Sequence, residues 1–356
     1  MTALSAVPRR AVDRAKRLVG PQRWAPWRVR YWALRQKVTD RAENRQWRVR
    51  SPRLTIVWEG GVEGHHFFRS FLDWLGRERP ALRRHVHLDS LPCRLPSDAA
   101  LLHALVQDPV VERDRRVHAH LARLEAECAR RGVSVVHPAS VLSNSKRDVL
   151  CERLGQVGLR TPRIVVVDDT FHTHRGGLCL PILVRRRWGH GAAMRRIDTE
   201  MSFDTWWREA RADPRSWVAA EFIDVRSADG WYRKRRYFMA GPRGTPRHLI
   251  VSPNWEVRPV DRVRSQATRE EELAFVAANC PHHAIFDAAR RALEFEIAAF
   301  DYSYDADGRL VVWEVNPFPD LSRPPGEVGE YLAPTVERSY AILADFYAER
   351  AGMTGD

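Results

Sequence analysis

Apolar and polar positions run in two different rhythms along this chain. From Leu54 onward, short apolar runs alternate with stretches of helical periodicity. LTIVW at 54–58 reads as a strand ending at glycines. It is followed by a helix over Phe67–Arg77, a strand in HVHLDSL, a long helix over Asp114–Arg131 closed by Gly132, and a strand in VSVVHP ending at Pro138. Strands alternating with helices predict a parallel α/β unit over residues 54–140. The proline-bearing segment PCRLPSDAA reads as surface connection.

Beyond residue 140 the rhythm changes. After a helix in KRDVLCERLGQVG come the strands PRIVVV, LPILVRR, WVAAEFI, YRKRRYFMA, RHLIVS, FEIAAFDYS and GRLVVWEVN. Between them lie a glycine-containing loop, Trp188–Met194, and a helix, Asp204–Ala212. This series predicts an α+β region of antiparallel strands, hairpin-connected at its end.

The last hairpin carries the most chemistry. Asp305-Ala306-Asp307-Gly308 is a turn between two alternating apolar strands. Pairing Tyr304 with Arg309 sets Asp301 opposite Val312. Period-2 alternation then gathers Asp301, Glu314 and Asn316 on one face and puts Trp313 and Val315 on the other. Strands this apolar are expected to be buried, where two unpaired carboxylates are costly. Two carboxylates and an amide oxygen form a hard-oxygen cluster suited to Mg²⁺.

Composition adds limits. At 44% hydrophobic and 29% charged residues the chain is globular in type. No run approaches the roughly 18 apolar residues of a membrane span, and the first twenty residues lack the apolar core of a secretory signal. Five scattered cysteines without a C-x-x-C argue against a disulfide framework and for a reducing cytoplasm. The net charge of +13 belongs almost wholly to an arm: residues 1–53 hold 15 basic and 3 acidic residues, and the remainder 43 and 42. In the arm Trp24, Trp27, Tyr31, Trp32 and Trp47 interleave with arginines. Two readings stand, a peripheral element whose aromatics pack on the body, which we favour, and a basic surface for an acidic partner or anionic lipid. Only four lysines occur, so Lys146 and Lys234 stand out in the body.

In order and spacing, these segments resemble the ATP-grasp superfamily over about residues 130–345. A strand aspartate, Asp301, precedes Glu314-Val315-Asn316 as in that family's E-x-N motif. NSKRDVLCERLGQVGLRTP resembles the family's basic residue before a helix closed by G-x-x-x-P, with Gly158 and Pro162. LPILVRRRWGHGAAM resembles its basic strand and glycine-rich loop, and Glu221-Phe222-Ile223 its adenine hinge. The fold implied is an α/β N-terminal domain (54–140), an α+β ATP-grasp small or lid subdomain (141–220), and a large α+β subdomain with the metal site (221–350), behind the arm at 1–53.

By that resemblance, Arg185 stands where the family has a phosphate-binding lysine. Either Lys146 or Arg147 fills the first basic position, spacing favouring Arg147 and chemical type Lys146. Gly189 and Gly191 would offer backbone N–H groups to phosphates. Glu221 and Ile223 would present backbone groups to adenine, with Phe222 pointing to the core. Lys234 and Arg236 would reach phosphates or the reacting carboxylate, and His248, Asn254 and Trp255 would line the site. Asp301, Glu314 and Asn316 would hold two Mg²⁺. No P-loop motif is present. Cys280-Pro281-His282-His283 lacks a second ligand pair and reads as loop. His65-His66, after Gly60-Gly61, stand where ligands bind in α/β units.

The expected function is therefore an ATP- and Mg²⁺-dependent ligase joining a carboxylate to an amine, or another nucleophile, through an acyl phosphate. The alternative is a phosphotransferase or ATP-binding regulatory module on the same fold. An interaction protein with a vestigial nucleotide site conflicts with the intact Asp301, Glu314 and Asn316.

Overall fold

The computed structural model describes residues 34, 36–59, 66–106, 110, 114–187 and 194–353. Helix α1 (36–46) leads into a four-stranded parallel sheet of β1 (Leu54–Trp58), β2 (Val86–Ser90), β3 (Leu101–Leu105) and β4 (Ser134–Val136). Its order is β2-β1-β3-β4. Helix α2 (His66–Glu78) covers one face, and α3 (Arg115–Arg131) covers the other, packing Leu121, Leu124 and Cys128 on Val57, Leu102 and Ala104. The α3 ends are written in sequence: Asp114 caps Arg116 N and Val117 N, and Gly132, at φ 67°, turns the chain out. β3 was not among the expected strands. Its run LLHAL is almost wholly buried and so shows no alternation to betray it.

Where it is described, the arm packs on the body, as in the favoured of the two readings. Asp40 is 1% exposed, and its carboxylate accepts from Trp58 Nε1 (3.1 Å), Ser90 Oγ (2.8 Å) and Gln36 Nε2 (2.7 Å). Asn44 bonds both backbone groups of Leu88, closing the open edge of β2. The Trp47 ring lies against Gly76, where a Cβ would stand 2.5 Å from it. The boundary expected at residue 53 therefore cuts through the first domain.

Helix α4 (Arg147–Gln156) follows. It was assigned with the small subdomain, but its Leu150 and Leu154 join the core of the large one, beside Phe286, Phe300 and Val312. The small subdomain proper is an antiparallel sheet of β5 (Ile164–Val166), β6 (Ile182–Arg186), β7 (Arg195–Ile197) and β8 (Trp217–Glu221), in the order β5-β8-β6-β7. Helix α5 (Glu200–Ala210) buries Phe203, Trp206 and Ala210 on it, starting four residues before the predicted Asp204 at a Thr199–Ser202 capping box.

The large subdomain is built on β9 (Tyr232–Ala240), β10 (Arg243–Ser252), β11 (Ile297–Tyr304) and β12 (Leu310–Asn316), antiparallel in the order β10-β9-β11-β12. Helices α6 (Gln266–Ala277), α7 (His283–Ala292) and α8 (Glu327–Arg350) flank it. Leu343, Ala344 and Tyr347 of α8 pack with Phe71 of α2, Leu54 and Ile56 of β1, and Phe238 and Ala240 of β9 in one continuous core. Across this seam His137 Nε2 accepts from the amides of Glu296 (3.2 Å) and Ile297 (3.1 Å). His103 shares a 2.5 Å hydrogen bond with Tyr347 Oη and stacks on Phe318.

Two predictions follow from this packing. Asp40→Ala strands two buried donors, Trp58 Nε1 and Ser90 Oγ, and should cost about 1–3 kcal/mol in urea unfolding; removal of residues 1–53 should lower the melting temperature further. Burial, with neighbouring His137, pushes His103 well below its usual pKa. The folded state therefore keeps it neutral while the unfolded chain protonates near pH ~6.5. Stability should be full above that pH and decline below it, and His103→Leu should flatten part of the decline.

Candidate active site

The site begins with a bulge. Tyr302, Ser303 and Tyr304 pair with Val312, Val311 and Leu310, but Asp301 pairs with Glu314, so Trp313 is the extra residue. The expected register, with Asp301 opposite Val312, is corrected. Val312 lies in the core behind the sheet, and Trp313 turns to the site face, where its Nε1 donates to Ser303 Oγ (2.9 Å). Without the bulge the observed pairing would put Glu314 on the far face. The bulge restores the shared face that the sequence anticipated by another route.

The registers extend this pair into one row across the whole sheet. His248, Arg236, Asp301 and Glu314 stand directly opposite one another on β10, β9, β11 and β12. Arg236 grips Asp301 with Nε to Oδ1 at 2.6 Å and Nη2 to Oδ2 at 2.8 Å, and Lys234 Nζ lies 3.6 Å from Oδ2. From α4, Arg147 Nη2 donates to Glu314 Oε1 at 2.7 Å. Burial pushes the Asp301 carboxyl up, but the charges of Arg236 and Lys234 prevail and hold it well below the usual carboxylate range. Burial, with Arg236 nearby, pushes His248 well below its usual pKa.

In front of the row lies a cavity of about 250 Å³ between the two antiparallel sheets. Its lining joins apolar side chains, among them Ile164, Leu183, Val218, Ala220, Ile223 and Trp313, to the charged groups of Arg147, Arg185, Lys234, Glu256, Arg258, Asp301 and Glu314. Arg185 Nε is buried with no hydrogen-bond partner among the described residues. Burial, and then the charge of Arg147, lowers the Arg185 pKa to about 10. The carboxylates of Glu314 and Glu256 act against that shift, and the unmet Nε leaves a donor that an anion would suit.

The predicted residues fall into three groups. Arg147, Arg185, Lys234, Asp301 and Glu314 line the cavity, as do Phe222, Ile223 and Trp255. Of the two basic alternatives, the cavity takes Arg147; Lys146 stands at the α4 cap outside it. Arg236 sits in the row behind, spent on Asp301. Glu221 does not line the cavity. Its amide donates to Arg163 O (2.9 Å) and its carboxylate accepts from Arg163 N (3.2 Å), fastening the end of β8. Phe222, expected in the core, is half-buried at the cavity wall, with the Arg196 guanidinium 4.1 Å above its ring and Trp255 at its edge. Asn254 forms a turn, its amide donating to Ser252 Oγ, and does not reach the cavity. The Asn316 amide oxygen accepts from Phe318 N (2.7 Å). Gly189, Gly191 and His65, and the side chain of His66, lie outside the described residues. The apolar wall was missed because its residues read as ordinary core strands.

No protein-family model matches the chain, and no curated protein matches it. Solved structures do. D-Cycloserine synthetase DcsG superimposes with a TM-score of 0.54 at 14% identity, covering 80% of this chain and 99% of that one. D-Alanine–D-alanine ligase from Bacillus anthracis, complexed with ATP, gives 0.53 at 13% identity over 85% and 97%. The ATP-grasp ligase PsnB, complexed with a precursor variant, Mg and ADP, gives 0.52 at 12% identity over 84% and 98%. The chain shares its fold with these ligases.

Asp301→Asn should leave Arg236 as an uncompensated buried cation and destabilise the protein by about 3–5 kcal/mol, read by urea unfolding. Because the folded pKa is depressed, the wild-type contribution is present above the unfolded value of about 3.9 and is lost as pH falls below it. The variant should lack that acid-side slope.

Proposed function

We propose that this protein is an ATP- and Mg²⁺-dependent ligase that activates a carboxylate as an acyl phosphate and joins it to an amine. The observation that carries the reading is a single cavity whose lining joins an apolar wall to several cations, with Asp301 and Glu314 paired beside a bulge. The apolar wall suits a planar base, and Arg147, Arg185 and Lys234 suit the phosphates. Together with Arg236 these four cations outnumber the two carboxylates of the row. A polyphosphate supplies the missing negative charge.

The donor set also fits Mg²⁺ in company with a nucleotide. Among the described residues no three His, Cys, Asp or Glu side chains cluster to hold a metal alone. Mg²⁺ typically takes one or two carboxylates plus substrate phosphates. Asp301, Glu314 and Asn316 would hold it, and it would neutralise charge on the phosphoryl group in transfer. The protein's part is then positioning. Arg147, Arg185 and Lys234 align the triphosphate, Arg236 keeps Asp301 ionised, and the apolar wall receives the base. The substrate carboxylate oxygen attacks the γ-phosphorus as the bond to the bridging oxygen breaks and ADP leaves. The amine nitrogen then attacks the acyl carbon, phosphate departs, and the amine gives up a proton.

Hydroxylamine in place of the amine tests this directly: with a panel of acids, ATP and Mg²⁺, it should yield a hydroxamate, ADP and phosphate. A phosphorylated product that hydroxylamine fails to trap would assign a phosphotransferase instead. Glu314→Gln should abolish turnover with the fold retained, and unchanged ATP consumption would sink the metal assignment. Ala220→Phe, which crowds the apolar wall, should weaken ADP binding by at least about tenfold, or ~1.4 kcal/mol, as read by calorimetry.

A further inference from the structure

The row that ends at His248 has a neighbour which the ligase reading does not use. β10 carries its own bulge, between Pro246 and His248, with Arg247 as the extra residue. The bulge lets Arg247 share the site face with His248 and Arg236. Its Nη2 donates to the carbonyls of Leu321 (3.3 Å) and Ser322 (2.9 Å), in the loop that follows Asn316. Arg247 is 2% exposed, yet Nε and Nη1 are buried without a partner, as is His248 Nε2. Among the described residues no carboxylate pairs with Arg247. Two carboxylates lie near enough to act on its charge: exposed Asp320, whose Oδ1 accepts from Ser322 N and Oγ, and buried Glu272, taken by Arg262, Tyr331 and the Leu249 amide. A buried guanidinium with two donors unmet and no carboxylate in direct contact is unfavourable unless something supplies one. Arg236, the next cation along, is neutralised by Asp301 and supplies nothing.

We propose that Arg247, with His248 beside it, binds a second carboxylate of the acid substrate, so that the activated acid is a dicarboxylate. The assignment of the first carboxylate rests on the ligase reading above; the anion subsite itself rests on the orphaned donors of β10. Arg247 lies two strands away from Asp301, or about 9–10 Å at the usual spacing between strands. A short carbon chain spans that distance, placing one carboxylate at Arg247 and the other near the phosphate end.

The test is heat unfolding of the full chain in glutarate, in valerate, and in sodium chloride of matched ionic strength, with Mg²⁺ and ADP as a separate arm. Glutarate should raise the wild-type midpoint by about 2 °C over sodium chloride, and valerate by less. Arg247→Met should lose the glutarate increment, and His248→Gln part of it, while both keep the Mg²⁺–ADP increment. Should Arg247→Met fail to fold, Arg247→Lys retains the charge and stem with fewer donors, and should show a reduced increment. No glutarate increment in the wild type, equal increments in glutarate and valerate, or an increment unchanged in the Arg247 variants would overturn the proposal and leave water as the occupant. Absence of a Mg²⁺–ADP increment in the wild type would overturn the nucleotide reading instead, with the glutarate arms still deciding the subsite.

Discussion

The Arg236–Asp301 ion pair, aligned with Glu314 and His248 by a one-residue bulge at Trp313, is the constraint around which the site is organised. A carboxylate 4% exposed on a central strand survives there only because a guanidinium grips both of its oxygens. That grip fixes the side chains of β9 and β11 relative to each other. The bulge brings Glu314 into the same row, where Arg147 reaches it from α4. Helix, hairpin and central strand are thus tied at one point, and the cavity opens in front of it. Of the other charged wall residues, Glu256 and Arg258 pair with each other at 2.6 Å, and Arg185 keeps a buried Nε without a partner among the described residues.

The same sheet is joined to the first domain by contacts of a different kind. Phe318, two residues beyond Asn316, has its amide held by the Asn316 side chain and its ring stacked on His103. His137, from the loop after β4, caps the first amides of β11. The chain leaving the carboxylate hairpin is therefore seated directly in the core of the parallel domain, and α8 continues that core from the other side. Edges are closed as carefully. Asn44 covers β2, while Glu272 and Arg262 occupy the free amide and carbonyl of Leu249 on β10. Each edge is sealed by side chains that come from outside the sheet they protect.

Much of this was legible in the sequence because it is local. Alternation gave the antiparallel strands, the Asp305–Gly308 turn gave the last hairpin, and Asp114 and Gly132 gave the ends of α3. The parity of Glu314 and Asn316 put those two on one face, though their sharing it with Asp301 depends on the bulge at Trp313, and the run of spaced motifs from Gly158 to Asn316 gave the fold. Local patterns also misled. A fully buried parallel strand, β3, has no alternation; α4 carries no mark of which sheet it packs on; and the domain limit drawn at residue 53 by charge cuts across a segment that Asp40, Asn44 and Trp47 build into the first domain.

What only the tertiary structure decided is whatever depends on two chain segments meeting. Periodicity fixes which residues share a face but not the register between strands, so the bulges at Trp313 and Arg247, and with them the row His248–Arg236–Asp301–Glu314, are invisible in one dimension. That Arg147 lines the cavity while Lys146 stands at the helix cap required the direction of α4 against β12. The cavity needed two sheets to face each other, since each apolar wall residue alone reads as core. The sequence by itself determined the elements and the inventory of charge. Which charges neutralise one another and which remain unpaired was settled by packing, because an ion pair across a hundred residues is a property of distance in space and leaves no period in the chain.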